Sequence, residues 1–289
     1  MDSHTKIKES VMIVDIVGAG GFVGRALTKS MRKEFDKVRT WSSSKEESMG
    51  DFDLRDENTW EGLLNTKLDC VVLVSWPGLP NYDQSFHIEE NLRDTTRLVD
   101  RLIASGAKKV VGIGTCFEYE LKEGAISEES QCKPLTKYGQ AKNQLRLCIE
   151  REAESANIEY AWFRLFYVYG KDQPKRTLLG SLIEANDSGG SVEVRDWGAK
   201  RDFIEIGEAC TLIANLLKGG FTGVLNIGSG EGTDAGSMAT KLKEKYELDN
   251  VKINGREEWL KNKKEIGASF WADTNKLNRV RAKIGMSQE

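Results

Sequence analysis

The stretch that most restricts the fold is Val11 to Gly24, which reads Val-Met-Ile-Val-Asp-Ile-Val-Gly-Ala-Gly-Gly-Phe-Val-Gly. A mostly apolar, β-branched run leads straight into Gly18, Gly20, Gly21 and Gly24. An amphipathic segment then begins at Val23, with Ala26, Leu27 and Met31 following at helical spacing. This predicts a buried strand, a tight turn and a helix start. Glycine is needed where a backbone turns sharply and something bulky approaches with no Cβ in the way. A pyrophosphate suits such a turn, because the helix N-terminus offers free N–H groups and the positive end of its dipole. Gly18, Gly21 and Gly24 give the spacing Gly-x-x-Gly-x-x-Gly, with Phe22 and Val23 inside it. Strand before and helix after supply the setting of a dinucleotide site. The plainer reading is a glycine-rich turn in some other α/β protein.

The next segments repeat the alternation. Lys37 to Trp41 reads as a short strand ending in Ser42-Ser43-Ser44-Lys45. Leu68 to Val74 is a continuous apolar run, as expected of a strand covered on both faces, and it stops at Ser75-Trp76-Pro77-Gly78. A helix from about Ile88 to Ala104 and a strand from Lys108 to Gly114 follow. Strands alternating with helices predict an α/β fold, a Rossmann-type doubly wound parallel sheet. Its ligands are expected at the carboxyl ends of the strands.

At 289 residues the chain can bury one large core and a smaller lobe. A net charge of −3, with no basic stripe, argues against a nucleic acid partner. The apolar runs are too short to span a membrane, and the charged lead before Val11 does not read as a signal peptide. Cys70, Cys116, Cys132, Cys148 and Cys210 are widely spaced and accompanied by only His4 and His87. That pattern predicts a reducing, cytoplasmic setting and no metal site.

Two groups of residues point to redox chemistry. Dinucleotide sites that take NAD usually carry an acidic residue near the end of the second strand, for the ribose hydroxyls. Ser42, Ser43, Ser44 and Lys45 stand there instead, with Arg25 and Arg39 nearby, which favours NADP(H) over NAD(H); a polar surface turn is the competing reading. Further on, Tyr138 and Lys142 are four apart at the start of a predicted helix, so they share one face. An ammonium beside a phenol lowers its pKa from about 10 and makes it a usable proton donor near neutrality. Taken alone, such a pair also fits a solvated helix face.

The combination of Gly-x-x-Gly-x-x-Gly, a hydroxyl residue (Thr115) closing a later strand, and Tyr138-x-x-x-Lys142 resembles the extended short-chain dehydrogenase/reductases. It is closest to their nucleotide-sugar epimerase, dehydratase and reductase branch. The resemblance runs through nearly the whole chain. Asp53-Leu54 resembles the adenine-contacting pair, and Asn91 the helix asparagine of Asn-x-x-Gly-Thr, with Asp94 in the glycine's place. Arg164 to Gly170 resembles Arg-x-Phe-Asn-Val-Tyr-Gly, with Tyr167 for the asparagine, and Leu225 to Gly230 resembles a late strand and turn. Arg201-Asp202-Phe203 resembles the segment whose arginine grips the substrate's phosphates. The resemblance implies hydride exchange between nicotinamide and a sugar carbonyl, with Tyr138 as proton donor, Thr115 on the same oxygen and Lys142 on the cofactor ribose. Trp76, Cys116, Phe117 and Arg201 would line the substrate site.

Cys116 and Phe117 stand where the sugar dehydratases carry Asp-Glu, which argues against water loss. The Gly-Thr-Cys-x-Glu-Tyr string is most similar to 4-keto-6-deoxyhexose reductases. An NADPH-dependent 4-ketoreductase of a nucleotide-linked sugar is therefore expected. An NAD-retaining 4-epimerase and a non-catalytic nucleotide sensor are the alternatives. The resemblance also implies a homodimer. Residues 9–170 with about 204–229 are expected to form the nucleotide-binding domain, and 171–203 with 230–289 the substrate lobe. Thr177 to Ala185 and Gly232 to Lys245 are expected to be helical.

Overall fold

The computed structural model describes residues 11–43, 48–261 and 268–286. The charged lead at 1–10, and Ser44 and Lys45 of the serine turn, lie outside these. In the first part of the chain β1 (Ile13–Val17), α1 (Phe22–Glu34), β2 (Lys37–Ser42) and β3 (Gly50–Asp51) are followed by α2 (Glu61–Leu64) and β4 (Cys70–Leu73). Then come α3 (Arg93–Ala104), β5 (Lys109–Thr115), β6 (Gly124–Ile126), α4 (Lys137–Ala156), β7 (Glu159–Leu165) and β8 (Tyr167–Tyr169). The remainder holds α5 (Leu178–Ser188), β9 (Ser191–Glu193), β10 (Lys200–Glu205), α6 (Ile206–Lys218), β11 (Gly223–Ile227) and β12 (Gly232–Asp234). Last are α7 (Ala235–Lys245), β13 (Lys252–Asn254), α8 (Arg256–Lys261), β14 (Phe270–Ala272) and α9 (Asn275–Lys283).

Seven parallel strands form the main sheet in the order β11-β7-β5-β4-β1-β2-β3. The chain builds outward from β1 to β3, then returns to lay β4 on the other side of β1. The topological switch point thus falls between β1 and β4. All five residues of β1 and all seven of β5 are buried, as the apolar runs require of strands covered on both faces. One face packs Leu27 and Met31 of α1 against Ile213, Leu216 and Leu217 of α6. The other gathers Trp60, Leu98, Leu102, Leu145 and Ile149 around Trp162. Gly112 and Gly114 on β5 leave room for the Trp162 indole, which any Cβ there would strike. This is the expected Rossmann-type sheet.

The second lobe has a three-stranded sheet, β12-β10-β8, and a core in which Leu179 and Leu182 of α5 meet Met238 and Leu242 of α7. Two expectations change here. Gly232 to Asp234 is not helical: it pairs antiparallel with Lys200 to Asp202, and α7 starts only at Ala235. Asp234 caps that helix by accepting from the Ser237 N–H at 2.8 Å. The C-terminal tail also divides differently from the expected 230–289 lobe. Phe270 to Ala272 pairs with β6, and Leu277 on α9 sits in the core of the main sheet with Val280 and Ile284 packed against it. Buried apolar side chains carried that helix back to the first domain.

Candidate active site

At the switch point a cleft of about 1050 Å³ opens, lined from both lobes. Its floor is the glycine turn. Gly18 has φ +92°, and a Cβ there would strike the Ser75 backbone; a Cβ on Gly24 would strike the Gly18 carbonyl oxygen. These two glycines let the turn, the β4 loop and α1 pack together. Gly21 differs, because its Cβ would meet nothing nearer than the Gly18 oxygen at 3.6 Å. No side chain caps α1 and no acid lies in its first turn. Open space over an uncapped helix N-terminus fits a pyrophosphate. Gly20, Phe22, Val23, Ser42, Ser43, Asp53 and Leu54, named from the sequence for the cofactor, line the same cleft; Ser44 is outside the described residues.

Of the charges expected for a 2′-phosphate, Arg39 is engaged elsewhere and Lys45 lies outside the described residues. Parallel register sets Arg39 opposite Asp15, and the guanidinium is buried against that carboxylate at 2.6 and 2.7 Å and against the Lys67 carbonyl at 2.8 Å. Arg25 donates to the Gly20 carbonyl at 2.6 Å. Sequence proximity placed both arginines near the ribose; strand pairing claimed Arg39 instead, while Arg25 stays exposed beside the glycine turn.

Thr115, Tyr138 and Lys142 meet on the far side of the cleft, each less than a tenth exposed. α4 reaches them because Gly139, beside Tyr138, has no Cβ to strike the Phe117 carbonyl. Thr136 caps the helix by accepting from the Gly139 N–H at 3.1 Å. The Thr115 hydroxyl lies where it favours the ionised form of the Tyr138 phenol. Beneath Thr115, the fully buried Glu118 accepts from the Thr115 N–H at 2.8 Å, from the Trp162 indole and from Arg164 Nε at 2.7 Å. Arg164 reaches on to Tyr119, and Tyr119 donates to Asn226 at 2.7 Å. Glu118, which the sequence offers only as the acid of the Gly-Thr-Cys-x-Glu-Tyr string, is the anchor of the strand end that carries Thr115.

Lys142 does not draw the phenol down. Burial pushes the Tyr138 pKa up, helped by Tyr82, Glu118 and Cys116, with Thr115 opposing. Burial likewise pushes Lys142 down to about 7, against the pull of Glu118. Removing both groups from water outweighs their mutual effect.

The outer wall is aromatic. Tyr82 lies 5.2 Å from Phe117, and Phe117 lies 5.9 Å from Tyr167, between ring centroids. Cys116 lines the cleft from a buried position, its thiol pushed up to about 12 by burial. Arg201 donates to the Lys200 and Ala268 carbonyls at 2.8 and 2.7 Å and lies over the Phe270 ring. It lines the cleft with a second guanidinium, Arg176, that the sequence reading did not single out. Arg176 carries no motif; only the fold of the second lobe brings it there. Trp76 also lines the cleft. Among the described residues there is no cluster able to hold a metal ion, and no helix is long and apolar enough to cross a membrane.

Sheet order, switch point and glycine turn together define a Rossmann-type nucleotide-binding protein. Residues 14–228 match the NAD dependent epimerase/dehydratase family, and the chain belongs to it. It is 24% identical over 260 residues to a dTDP-6-deoxy-L-talose 4-dehydrogenase (NAD(+)) of Aggregatibacter actinomycetemcomitans, covering 84% of this chain and 92% of that one. Its fold is similar to that of UDP-N-acetylglucosamine 4-epimerase from Bacillus cereus, with a TM-score of 0.76 and 18% identity over 96% of this chain and 94% of the other. It is also similar to DesIV, a dTDP-glucose 4,6-dehydratase from Streptomyces venezuelae. There the TM-score is 0.74 and the identity 19%, over 96% and 92% of the chains.

Proposed function

We propose that this protein reduces the 4-keto group of a nucleotide-linked 6-deoxyhexose, with a nicotinamide dinucleotide on the glycine turn. The observation that carries the reading is the buried Thr115–Tyr138–Lys142 set, followed by Cys116 and Phe117 rather than by an acid–base pair. The relative named as a 4-dehydrogenase of a dTDP-linked 6-deoxy sugar supports the same position of reaction.

The residues divide the work. Gly20, Gly21, Phe22, Val23 and Gly24 present the helix N-terminus to the pyrophosphate, while Asp53 and Leu54 border the adenine end. The cofactor, when bound, supplies the hydride. Tyr138 gives its proton to the oxygen that becomes the alkoxide, and the Thr115 hydroxyl hydrogen-bonds the same oxygen. The raised affinity of the buried phenol for its proton keeps it in the donor form before reaction. Lys142 holds the cofactor ribose. Arg201 and Arg176 face the diphosphate of the sugar nucleotide, and Phe117, Tyr82 and Tyr167 form an apolar wall suited to a methyl rather than a hydroxymethyl group. With Arg39 engaged, the site is read as one that accepts NAD(H). Self-association as a homodimer belongs to the same reading.

The test is oxidation of NADH and NADPH in the presence of dTDP- and CDP-linked 4-keto-6-deoxyhexoses. Turnover with added NADH is expected, and Tyr138→Phe is expected to lower kcat by about 10²-fold or more with the cofactor Kd unchanged. Unchanged turnover in that variant would sink the mechanism. Co-purifying NAD with interconversion of two epimers, and no net NADH oxidation, would make the protein a 4-epimerase using the same residues.

A further inference from the structure

The loop after β4 and the turn before α3 meet at a pair of side chains that the mechanism above does not use. The Trp76 indole N–H donates to His87 Nδ1 at 3.0 Å, and His87 Nε2 donates to the Asn81 carbonyl at 2.9 Å. Those two bonds put the imidazole proton on Nε2 and leave a neutral ring. His87 is fully buried in a π-helical turn, His87–Leu92, and burial lowers its affinity for a second proton. The indole and imidazole planes lie 12° apart, and both rings touch Tyr138, at 6.2 and 5.3 Å between centroids.

What the indole holds is Lys142. The Lys142 ammonium lies 3.9 Å from the centre of the Trp76 ring and donates to the Ile113 carbonyl at 2.9 Å. No carboxylate forms an ion pair with it among the described residues. Glu118, the acid that acts on it through space, is committed to Arg164, Trp162 and the Thr115 N–H. An aromatic face is the remaining way to favour a buried cation. The groups around this ammonium are Glu118 from the turn after β5, the Trp162 ring at 6.0 Å, and the Trp76–His87 pair across the cleft; Tyr138 lies one helical turn away on its own helix. Tyr82 and Cys116 surround Tyr138.

We propose that Trp76, locked in orientation by His87, is a positioning residue that holds Lys142 charged and in place against the cofactor side of the cleft. The proposal rests on the reading of Tyr138 and Lys142 as a working pair. It assigns His87 a role through Trp76 rather than one on substrate. Trp76→Phe removes the N–H bond and weakens the π face. His87→Phe keeps ring volume but leaves the indole N–H unpaired. His87→Gln offers an amide oxygen to the indole and an N–H to Asn81.

The first measurement uses the protein without ligand. The tryptophan emission of the wild type, less that of Trp76→Phe, is expected to titrate near pH 7, where Lys142 loses its proton, and to stay flat in Lys142→Met. The second is the pH profile of kcat/KM. In His87→Phe and Trp76→Phe the alkaline limb is expected to move to lower pH with kcat down about tenfold, and in His87→Phe, which stays off the cleft wall, the sugar-nucleotide KM is expected to be unchanged. His87→Gln is expected to restore the limb. A flat emission difference, or an unmoved limb in both Phe variants, overturns the proposal; if His87→Phe fails to fold, Trp76→Phe decides it. Full turnover in Tyr138→Phe and Lys142→Met would instead overturn the reading of the site, and the emission titration would still decide whether Trp76 senses Lys142.

Discussion

Lys142 concentrates the conflict between stability and chemistry in one residue. Its ammonium is buried with a backbone carbonyl and an indole face for company, and its pKa falls to about 7 from an ordinary 10.5. Between about pH 7 and 10.4 the unfolded chain therefore binds more protons than the folded one, so folding stability rises with pH across that window. Below it the cost of burying the charge is fully present. Lys142→Met is expected to raise Tm by at least about 3 °C at pH 7 and below, with a gain that fades toward pH 10, in a thermal melt series. The same variant is expected to lose activity. The sequence showed Tyr138 and Lys142 on one face of a helix, because a four-residue spacing is enough to place them. It did not show which effect dominates their proton affinities, because burial depends on what packs around them. The anchoring of Glu118 was legible only in part: its bond to the Thr115 N–H is local, but Arg164 reaches it only through the pairing of β5 with β7.

The glycine turn separates two jobs that look alike in sequence. Gly18 and Gly24 serve packing inside the protein, whereas Gly21 opens onto the cleft. Gly24→Ala is expected to destabilise the fold in denaturant titrations, by the few kcal/mol typical of overpacking, whether or not nucleotide is present. Gly21→Ala is expected to leave stability within about 0.5 kcal/mol and to weaken NADH binding at least about tenfold, read by fluorescence titration. The strand–turn–helix around these glycines was legible because apolar run, glycine cluster and helical periodicity are all local. β12 was not legible. Gly232 to Asp234 is extended because Lys200 to Asp202 lies alongside, and a three-residue strand carries too little pattern of its own to announce that neighbour.

Across the whole molecule, the tail ties the two lobes together. β14 pairs with β6, while α9 seats Leu277 in the core of the main sheet. Leu277→Ala is expected to cost about 2–5 kcal/mol in equilibrium denaturation, although it stands outside the motifs of the nucleotide-binding domain. Sequence by itself determined the alternating strands and helices, the parallel sheet, the glycine turn and the shared helix face of Tyr138 and Lys142. Each is written in local periodicity, glycine placement or fixed spacing. Tertiary structure alone decided the engagement of Arg39 by Asp15, the anchoring of Thr115 by Glu118, the arrival of Arg176 at the cleft and the seating of Lys142 on Trp76. Those partners lie far apart in the chain, and only a packed sheet that sets register, burial and distance brings their charges into contact.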